Sequence, residues 1–390
     1  MRLFYLSADP GISVRGGKGA SVHVRALTGA LARLEHEVVI LSPGVQAGLN
    51  PLPPGVRCGQ IPAVRPRDCA SSRELLDRAS RQADAVLELA RSTKIDAICE
   101  RYSLAGIAGA RTAGALGIPF VVEVNAPLRA EERRYRALAH EDVALAAERQ
   151  TFAAAGRIFA VSHPLADWLV TAGVDPARIE VMPNAPPDRP FRPKHPLDER
   201  TEVVVGFAGG LKRWHGIDTL VEGFELALVQ GARIRLEILG DGPAADVVER
   251  AALPQDRLIR LGQLSHEDAL VVLERWDVGL APYAPVPGFY FSPLKLFEYM
   301  AAGLCPVVSD VGDLAEIVAH GKAGVVVPAD DPGALARGLV ELDRDRARLR
   351  ELGAAAQTAA QGRPSWSDNA RRIIEAVEAL SSAVPGVTHG

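Results

Sequence analysis

The strongest constraint on the fold is a repeated pairing along the chain. A short, unbroken apolar run is followed by a longer segment rich in Ala, Leu, Arg and Glu. In the first half the runs are Leu3–Leu6, Val38–Leu41, Ala97–Cys99, Phe120–Val124, Ile158–Val161 and Ile179–Val181, with segments such as His23–Leu34 and Glu74–Leu89 between them. The second half repeats the pattern with Val203–Phe207, Ile234–Leu239, Leu258–Leu261, Val278–Ala281, Pro306–Ser309 and Val325–Val327. Apolar runs without polar alternation are what parallel strands covered on both faces require. Two such series predict an α/β protein of two doubly wound, Rossmann-like domains. The length of 390 residues, too long for one ordinary core, agrees.

The boundary lies in APPDRPFRPKHPLDER, residues 185–200, where five prolines interrupt all hydrophobic periodicity. The predicted organisation is a first domain over 1–188, a linker over 189–200, a second domain over 201–365 and a C-terminal helix over 366–382. The final SAVPGVTHG is expected to be loose. The formal net charge of −4 argues against a general nucleic-acid binder. Cys58, Cys69, Cys99 and Cys305 are scattered without a C-x-x-C, which fits neither a disulfide framework nor a zinc site and suits a reducing cytoplasm. No basic-then-apolar leader and no run of about 18 apolar residues appears, so neither a signal peptide nor a membrane span is expected.

The first strand runs into GISVRGGKGAS, residues 11–21. It fails the P-loop pattern, because Ile12 and Gly19 stand where a glycine and a hydroxyl belong. It fails the dinucleotide pattern at Val22, and the next apolar run ends in Ser42-Pro43 without an acidic residue. What remains is a glycine turn opening a helix, either an anion site or a plain strand-to-helix connection.

FYFSPLKLFEYMAAGLCPVVSD, residues 289–310, carries more. Ser292 fits an N-cap, Pro293 fits N1, and Leu294, Phe297 and Ala301 make one apolar face. Gly303 stops the helix and Pro306 opens the next strand. A helix of about three turns with a bare N-terminus is expected. Lys295 and Glu298 sit three apart, as a solvated surface pair would. The flanking aromatic residues instead suggest a partly buried Glu298, and a buried carboxylate needs donors such as a ribose diol.

Residues 289–310 resemble the signature of family-4 retaining glycosyltransferases (glycosyl transferases group 1). The resemblance extends to VVVGFAGGLKRWHGIDTLVEGF (203–224), LEILGDGP (236–243), VSHPLADWLVTAGVDPARIEVMPNA (161–185) and GDLAEIVAHGKAGVVVPADDPGALA (312–336). It implies the GT-B fold: two facing Rossmann-like domains with an interdomain cleft, and a last helix crossing back to the first domain. It also implies a hexosyltransferase that takes a nucleotide-diphosphate sugar as co-substrate, with no further cofactor. Carried over, Glu298 binds the ribose, and backbone amides at Ser292, Leu294 and Lys295 face the diphosphate. The loop Gly209, Gly210, Lys212, Arg213, His215 supplies cations, and Gly240 and Gly262 line the donor site. Gly16 and Gly17 close on the same diphosphate from the first domain.

Three departures from the family pattern stand out. Gly210 and His215 replace its usual Arg and Lys, leaving Lys212 and Arg213 to supply charge. Tyr290 replaces a Glu that reads donor-sugar hydroxyls. Asn125 replaces a His that touches the sugar; it can bond a hydroxyl but cannot act as a base. Glu100, Arg101 and Glu123 are the acceptor-side candidates.

Same-face substitution is the mechanism that fits, with a preorganised cation at the leaving group contributing roughly 3 kcal/mol. No metal is expected: the histidines lack ligand spacing, and Asp343-Arg344-Asp345 reads as a solvated helix face. The Arg-rich stretch 127–150 is compatible with peripheral membrane contact, but its glutamates favour a solvated helix. The acceptor is a small molecule, a lipid-linked unit or a glycan. A sugar-nucleotide isomerase and a non-catalytic nucleotide-sugar-binding protein are the alternatives.

Overall fold

The structure is a computed structural model that describes residues 1–382 apart from 47, 136–137, 193–201, 252, 287 and 320–321. Most of the predicted linker, and the tail after 382, lie outside the described residues. The chain divides into two compact units. The first holds Met1–Gly16, Ala20–Pro183 and the segment from Trp366 onward; the second holds Gly17–Gly19 and Asn184–Ser365.

The first unit contains β1 (Arg2–Ser7), α1 (Gly19–Arg33), β2 (Glu37–Ser42), β3 (Val56–Gln60), α2 (Ser72–Thr93), β4 (Ala97–Arg101), α3 (Ala108–Leu116) and β5 (Phe120–Val124). It continues with α4 (Leu128–Tyr135), α5 (Glu141–Ala154), β6 (Arg157–Ala160), α6 (His163–Thr171) and β7 (Ile179–Val181). The strands form one parallel sheet in the order β3-β2-β1-β4-β5-β6-β7. Leu3, Phe4, Tyr5 and Leu6 of β1 are all buried, as a central strand covered on both faces demands. β3 is a strand that no apolar run marks. Its sequence VRCGQ has no apolar run because it is an edge strand with one buried residue, Val56. The stretch 127–150 forms two helices, tied by Arg129 to Glu148 at 3.0 Å and to Glu141 at 3.3 Å.

The second unit contains β8 (Val203–Ala208), α7 (Ile217–Val229), β9 (Ile234–Leu239), α8 (Ala245–Arg250), β10 (Leu258–Gly262), α9 (His266–Leu273) and β11 (Val278–Ala281). It ends with α10 (Leu294–Ala301), β12 (Cys305–Ser309), α11 (Leu314–Val318), β13 (Val325–Val327), α12 (Pro332–Arg344) and α13 (Arg346–Gln361). This sheet is parallel too, in the order β10-β9-β8-β11-β12-β13. In each sheet the first strand lies centrally and the winding reverses beside it, between β1 and β4 and between β8 and β11. Ligands of open α/β sheets sit at the carboxyl ends of strands at such a reversal. Both units are Rossmann-like, as the apolar runs predict.

The last helix, α14 (Trp366–Ser382), groups with the first unit. Arg372 pairs with Glu180 at 2.6 Å and donates to the Val181 carbonyl at 2.7 Å, while the Asn369 amide donates to the Pro183 carbonyl at 2.9 Å. Trp366 packs edge-on against the His23 ring at 5.1 Å.

Asp343 corrects the expectation of a solvated face. α12 packs on α7, and Asp343 is buried at its end, where it accepts the Arg233 backbone N–H at 2.8 Å and pairs with Arg346 at 2.9 Å. Asp345 accepts the Arg348 N–H at the start of α13. Asp343 therefore holds a backbone amide and an arginine, while exposed Asp345 caps the next helix. Among the described residues no helix is long and apolar enough to cross a membrane.

Gly206 in β8 is a steric requirement of the second core. A Cβ there would lie 2.0 Å from the ring of fully buried Trp276, whose Nε1–H donates to Glu237 at 2.9 Å. Gly206→Ala is expected to destabilise the protein by about 1–3 kcal/mol, read as a lowered midpoint in chemical denaturation. An unchanged midpoint would show that Trp276 can move aside freely.

Candidate functional site

In the second unit three neighbouring strands run into glycines at their carboxyl ends. Gly209 follows β8, Gly240 follows β9 and Gly262 ends β10, with φ of +134°, +130° and +65°. The turns bond to one another's strands: the Gly209 N–H donates to the Leu239 carbonyl at 2.9 Å and the Gly240 N–H to the Gly262 carbonyl at 2.8 Å. A Cβ on Gly240 would lie 2.1 Å from the Gly209 oxygen. Close approach and left-handed backbone together exclude side chains, leaving a ledge made of backbone.

The loop beyond Gly209 places its cations unevenly. Arg213 is 68% exposed and pairs with Asp218 at 3.3 Å. The Lys212 ammonium sits over the Trp214 ring, 4.7 Å from its centroid. His215 turns inward, with Nδ1 bonded to the Gly210 carbonyl. Burial, and then the nearby Lys295 charge, push its pKa down to about 3, so His215 is neutral near pH 7.

The next contribution is α10, whose observed start differs from the predicted one. Pro293 is the N-cap and Leu294 the first helical residue; the helix has eight residues, about two turns. Ser292 is not a cap. Its Oγ accepts the Asn184 backbone N–H at 3.1 Å, and its carbonyl accepts the Asn184 side-chain amide. No side chain caps the helix, and its first turn holds no acidic residue. The buried face is also wider than expected: Lys295, Leu296, Phe297, Tyr299 and Met300 are buried, while Leu294 and Ala301 are half-buried.

Lys295 and Glu298 are not a solvated pair. Lys295 is buried against Phe207 and Tyr283. Glu298 is only 13% exposed and its Oε1 bonds His266 Nε2 at 2.8 Å. His266, the first residue of α9 behind the Ser265 cap, escaped sequence reasoning; the cap box S-H-E-D was its only local trace. Tyr290 is buried with its ring centroid 4.5 Å from that of Phe291, part of an aromatic cluster with Tyr283 and Phe289.

In the first unit the corresponding strand ends carry Ser7, Arg101 and Asn125. Ser7 and Arg101 are register partners across β1 and β4, and Asn125 follows β5. The Ser7 hydroxyl, one Arg101 nitrogen and both ends of the Asn125 amide are buried without a hydrogen-bond partner. Such groups cost free energy unless something meets them.

The two acidic candidates nearby are engaged elsewhere. Glu123 accepts the Tyr5 hydroxyl at 2.5 Å and bonds His23 Nε2 at 2.9 Å. Burial raises its pKa, but His23, Tyr5 and Arg101 together hold it below the usual value. Glu100 is fully buried and accepts the Gly109 N–H at 3.0 Å. Burial outweighs that bond and pushes its pKa up to about 7. Both carboxylates serve the unit's interior, which sequence position alone did not show. Gly16 is likewise held as a turn: its carbonyl accepts Arg25 at 2.8 Å and Asn50 at 3.1 Å. Gly17 groups with the second unit.

Family models match both halves of the chain. Residues 17–186 match Glycosyltransferase Family 4, and residues 202–345 match Glycosyl transferases group 1. The chain belongs to the group 1, family 4 glycosyltransferases. It is 32% identical over 192 residues to an exopolysaccharide phosphotransferase of Streptomyces coelicolor, covering 48% of this chain and only 19% of that protein. It is 27% identical to a D-inositol 3-phosphate glycosyltransferase of Paenarthrobacter aurescens, over 96% of this chain and 95% of that one. The fold matches sucrose-phosphate synthase from Thermosynechococcus elongatus with a TM-score of 0.76 at 20% identity, over 98% of this chain and 100% of that one. It also matches Anabaena HepE, solved in complex with UDP-glucose, with a TM-score of 0.71 at 16% identity, over 97% of this chain and 100% of that one.

The raised pKa of Glu100 has a measurable consequence. Its folded value of about 7 lies above the unfolded carboxyl value, so the native state binds the extra proton between them. The contribution is fully present at low pH and is lost as pH rises from roughly 4.5 through 7. Glu100→Gln is expected to flatten that fall, so that the variant gains on wild type by a few kcal/mol at most between about pH 5 and pH 8. Denaturation midpoints that run parallel for the two proteins over this range would contradict the assignment.

Proposed function

We propose that the chain is a retaining glycosyltransferase that moves a hexosyl unit from a nucleoside-diphosphate sugar to a hydroxyl acceptor without a catalytic metal. The observation that carries this reading is the backbone ledge of Gly209, Gly240 and Gly262, whose first glycine lies against Lys295 in the first turn of the uncapped helix α10. A ledge without side chains lets a diphosphate approach closely, and a helix N-terminus favours its charge. Glu298 on the same helix, bonded through one oxygen to His266, supports a ribose at this point, whose two hydroxyls its carboxylate accepts. The UDP-glucose complex of the fold neighbour HepE makes UDP the first nucleotide to try.

In the reaction the bond from the anomeric carbon to the diphosphate oxygen breaks. The acceptor oxygen bonds that carbon from the same face, and its proton passes to the departing phosphate oxygen. The products are a glycoside and a nucleoside diphosphate. The protein's part is positioning and stabilisation of the leaving charge. Asn125 and Arg101, with unmet hydrogen-bonding capacity in the first unit, are the acceptor-side or sugar-side contacts. Asn125 acts there as a hydroxyl partner and not as a base.

Thermal shift with UDP, GDP and ADP tests the donor site. A nucleotide at 100 times its dissociation constant stabilises by about 2.7 kcal/mol. One nucleotide is expected to raise the midpoint of wild type, and Glu298→Ala is expected to lose most of that rise. No rise with any of the three, in folded protein, would overturn the reading. Turnover is checked by release of nucleoside diphosphate from UDP-, GDP- and ADP-hexoses. Asn125→Ala is expected to slow it about 10- to 100-fold, whereas wild-type rates in the variant would remove Asn125 from the site.

A further inference from the structure

The buried lysine of α10 stands apart from every other cation near the ledge. Lys295 is 9% exposed, and its Nζ has no hydrogen-bond partner. The ammonium lies 3.8 Å from the centroid of the Phe207 ring and 5.3 Å from that of Tyr283. Phe207 is near the end of β8, and Tyr283 follows β11, so the two rings flank the point where the sheet's winding reverses. Gly209 borders this aromatic recess: a Cβ built there would lie 3.1 Å from the Lys295 Nζ. The ammonium thus ends against the first glycine of the ledge.

This placement is unfavourable for a lysine in the empty protein. Three N–H donors are buried without acceptors, and aromatic faces offset only part of that cost. A positive charge in the first turn of a helix also opposes the helix dipole, and the first turn of α10 has no acid to compensate. Glu298, one turn on, bonds His266 instead. Burial pushes the Lys295 pKa down to about 7, although Glu298 raises it. An anion seated at Gly209 would relieve all three penalties. Across the recess His215 is neutral, so it does not repel the ammonium or compete for the anion. The loop cations are otherwise engaged: Arg213 in solvent with Asp218, and Lys212 over Trp214.

We propose that Lys295 is the cation that meets the leaving diphosphate of the donor, in place of Lys212 and Arg213. This rests on the donor-site reading given under Proposed function. It adds that the charge comes from inside the unit, up between Phe207 and Tyr283, and not from the exposed loop. The departing oxygen then faces a charge-assisted donor in a water-poor recess, where such a bond is strongest.

The test uses the full chain and calorimetric binding of UDP, GDP and ADP, each beside its own nucleoside. The wild type is expected to bind one diphosphate well above its nucleoside. Lys295→Met fills the same recess without a charge. It is expected to bind that diphosphate about 10- to 100-fold more weakly, the range for hydrogen bonds to charged groups, and to leave nucleoside affinity within about threefold. Lys295→Arg, checked for native circular dichroism, is expected to recover part of the loss. Lys212→Met and Arg213→Met are expected to stay within about threefold of wild type. Wild-type diphosphate affinity in folded Lys295→Met would overturn this inference and leave the donor site standing. A wild type that binds no diphosphate would overturn both.

Discussion

A parallel strand covered by helices on both faces offers a ligand little but the turn at its carboxyl end. Both sheets of this chain are built under that constraint, and everything of functional interest hangs on it. In the second unit the constraint is met with glycine at three neighbouring strand ends, which leaves backbone where side chains would stand. In the first unit it is met with Ser7, Arg101 and Asn125, which leave polar groups unmet. One set of strand ends is shaped to be approached closely; the other is equipped to form hydrogen bonds.

The electrostatics of the second unit follow from burial as much as from charge. Four basic side chains surround the turn after β8, yet only one is directed inward as a cation. Lys212 lies over the Trp214 ring, Arg213 is in solvent, His215 is neutral, and Lys295 is buried without a hydrogen-bond partner. A buried lone charge is a poor device for stability and a good one for binding, because its full cost is recovered only when an anion arrives. The same trade appears at Glu298, which is held by one histidine and retains a second oxygen on a partly exposed side chain.

The apolar runs made the strands legible, from Leu3–Leu6 to Val325–Val327, because a doubly covered strand leaves no other pattern. β3 was illegible for the complementary reason: an edge strand needs only Val56 inside. The 289–310 motif showed that a helix begins near a proline and carries a functional acid. It did not show which residue caps it, since Ser292 is drawn away by Asn184, far off in sequence. The aromatic residues around Glu298 marked it as partly buried, but a separation of three gave no sign that Lys295 is buried too. Their real partners, Phe207, Tyr283 and His266, come from other elements. Glu100, Glu123 and Asp343 teach the same lesson in reverse. Each looked available or exposed, and each is buried and engaged with Gly109, with His23 and Tyr5, or with Arg233 and Arg346.

The proposed function puts a nucleoside diphosphate on the glycine ledge of the second unit with its ribose at Glu298. A crystal structure of the chain grown with UDP, or with whichever nucleotide binds, tests it most directly. Phosphate oxygens are expected at the N-terminus of α10 and against Gly209, with both ribose hydroxyls within hydrogen-bond distance of Glu298. A nucleotide seated anywhere else on the chain, with the ledge occupied by water alone, would contradict it.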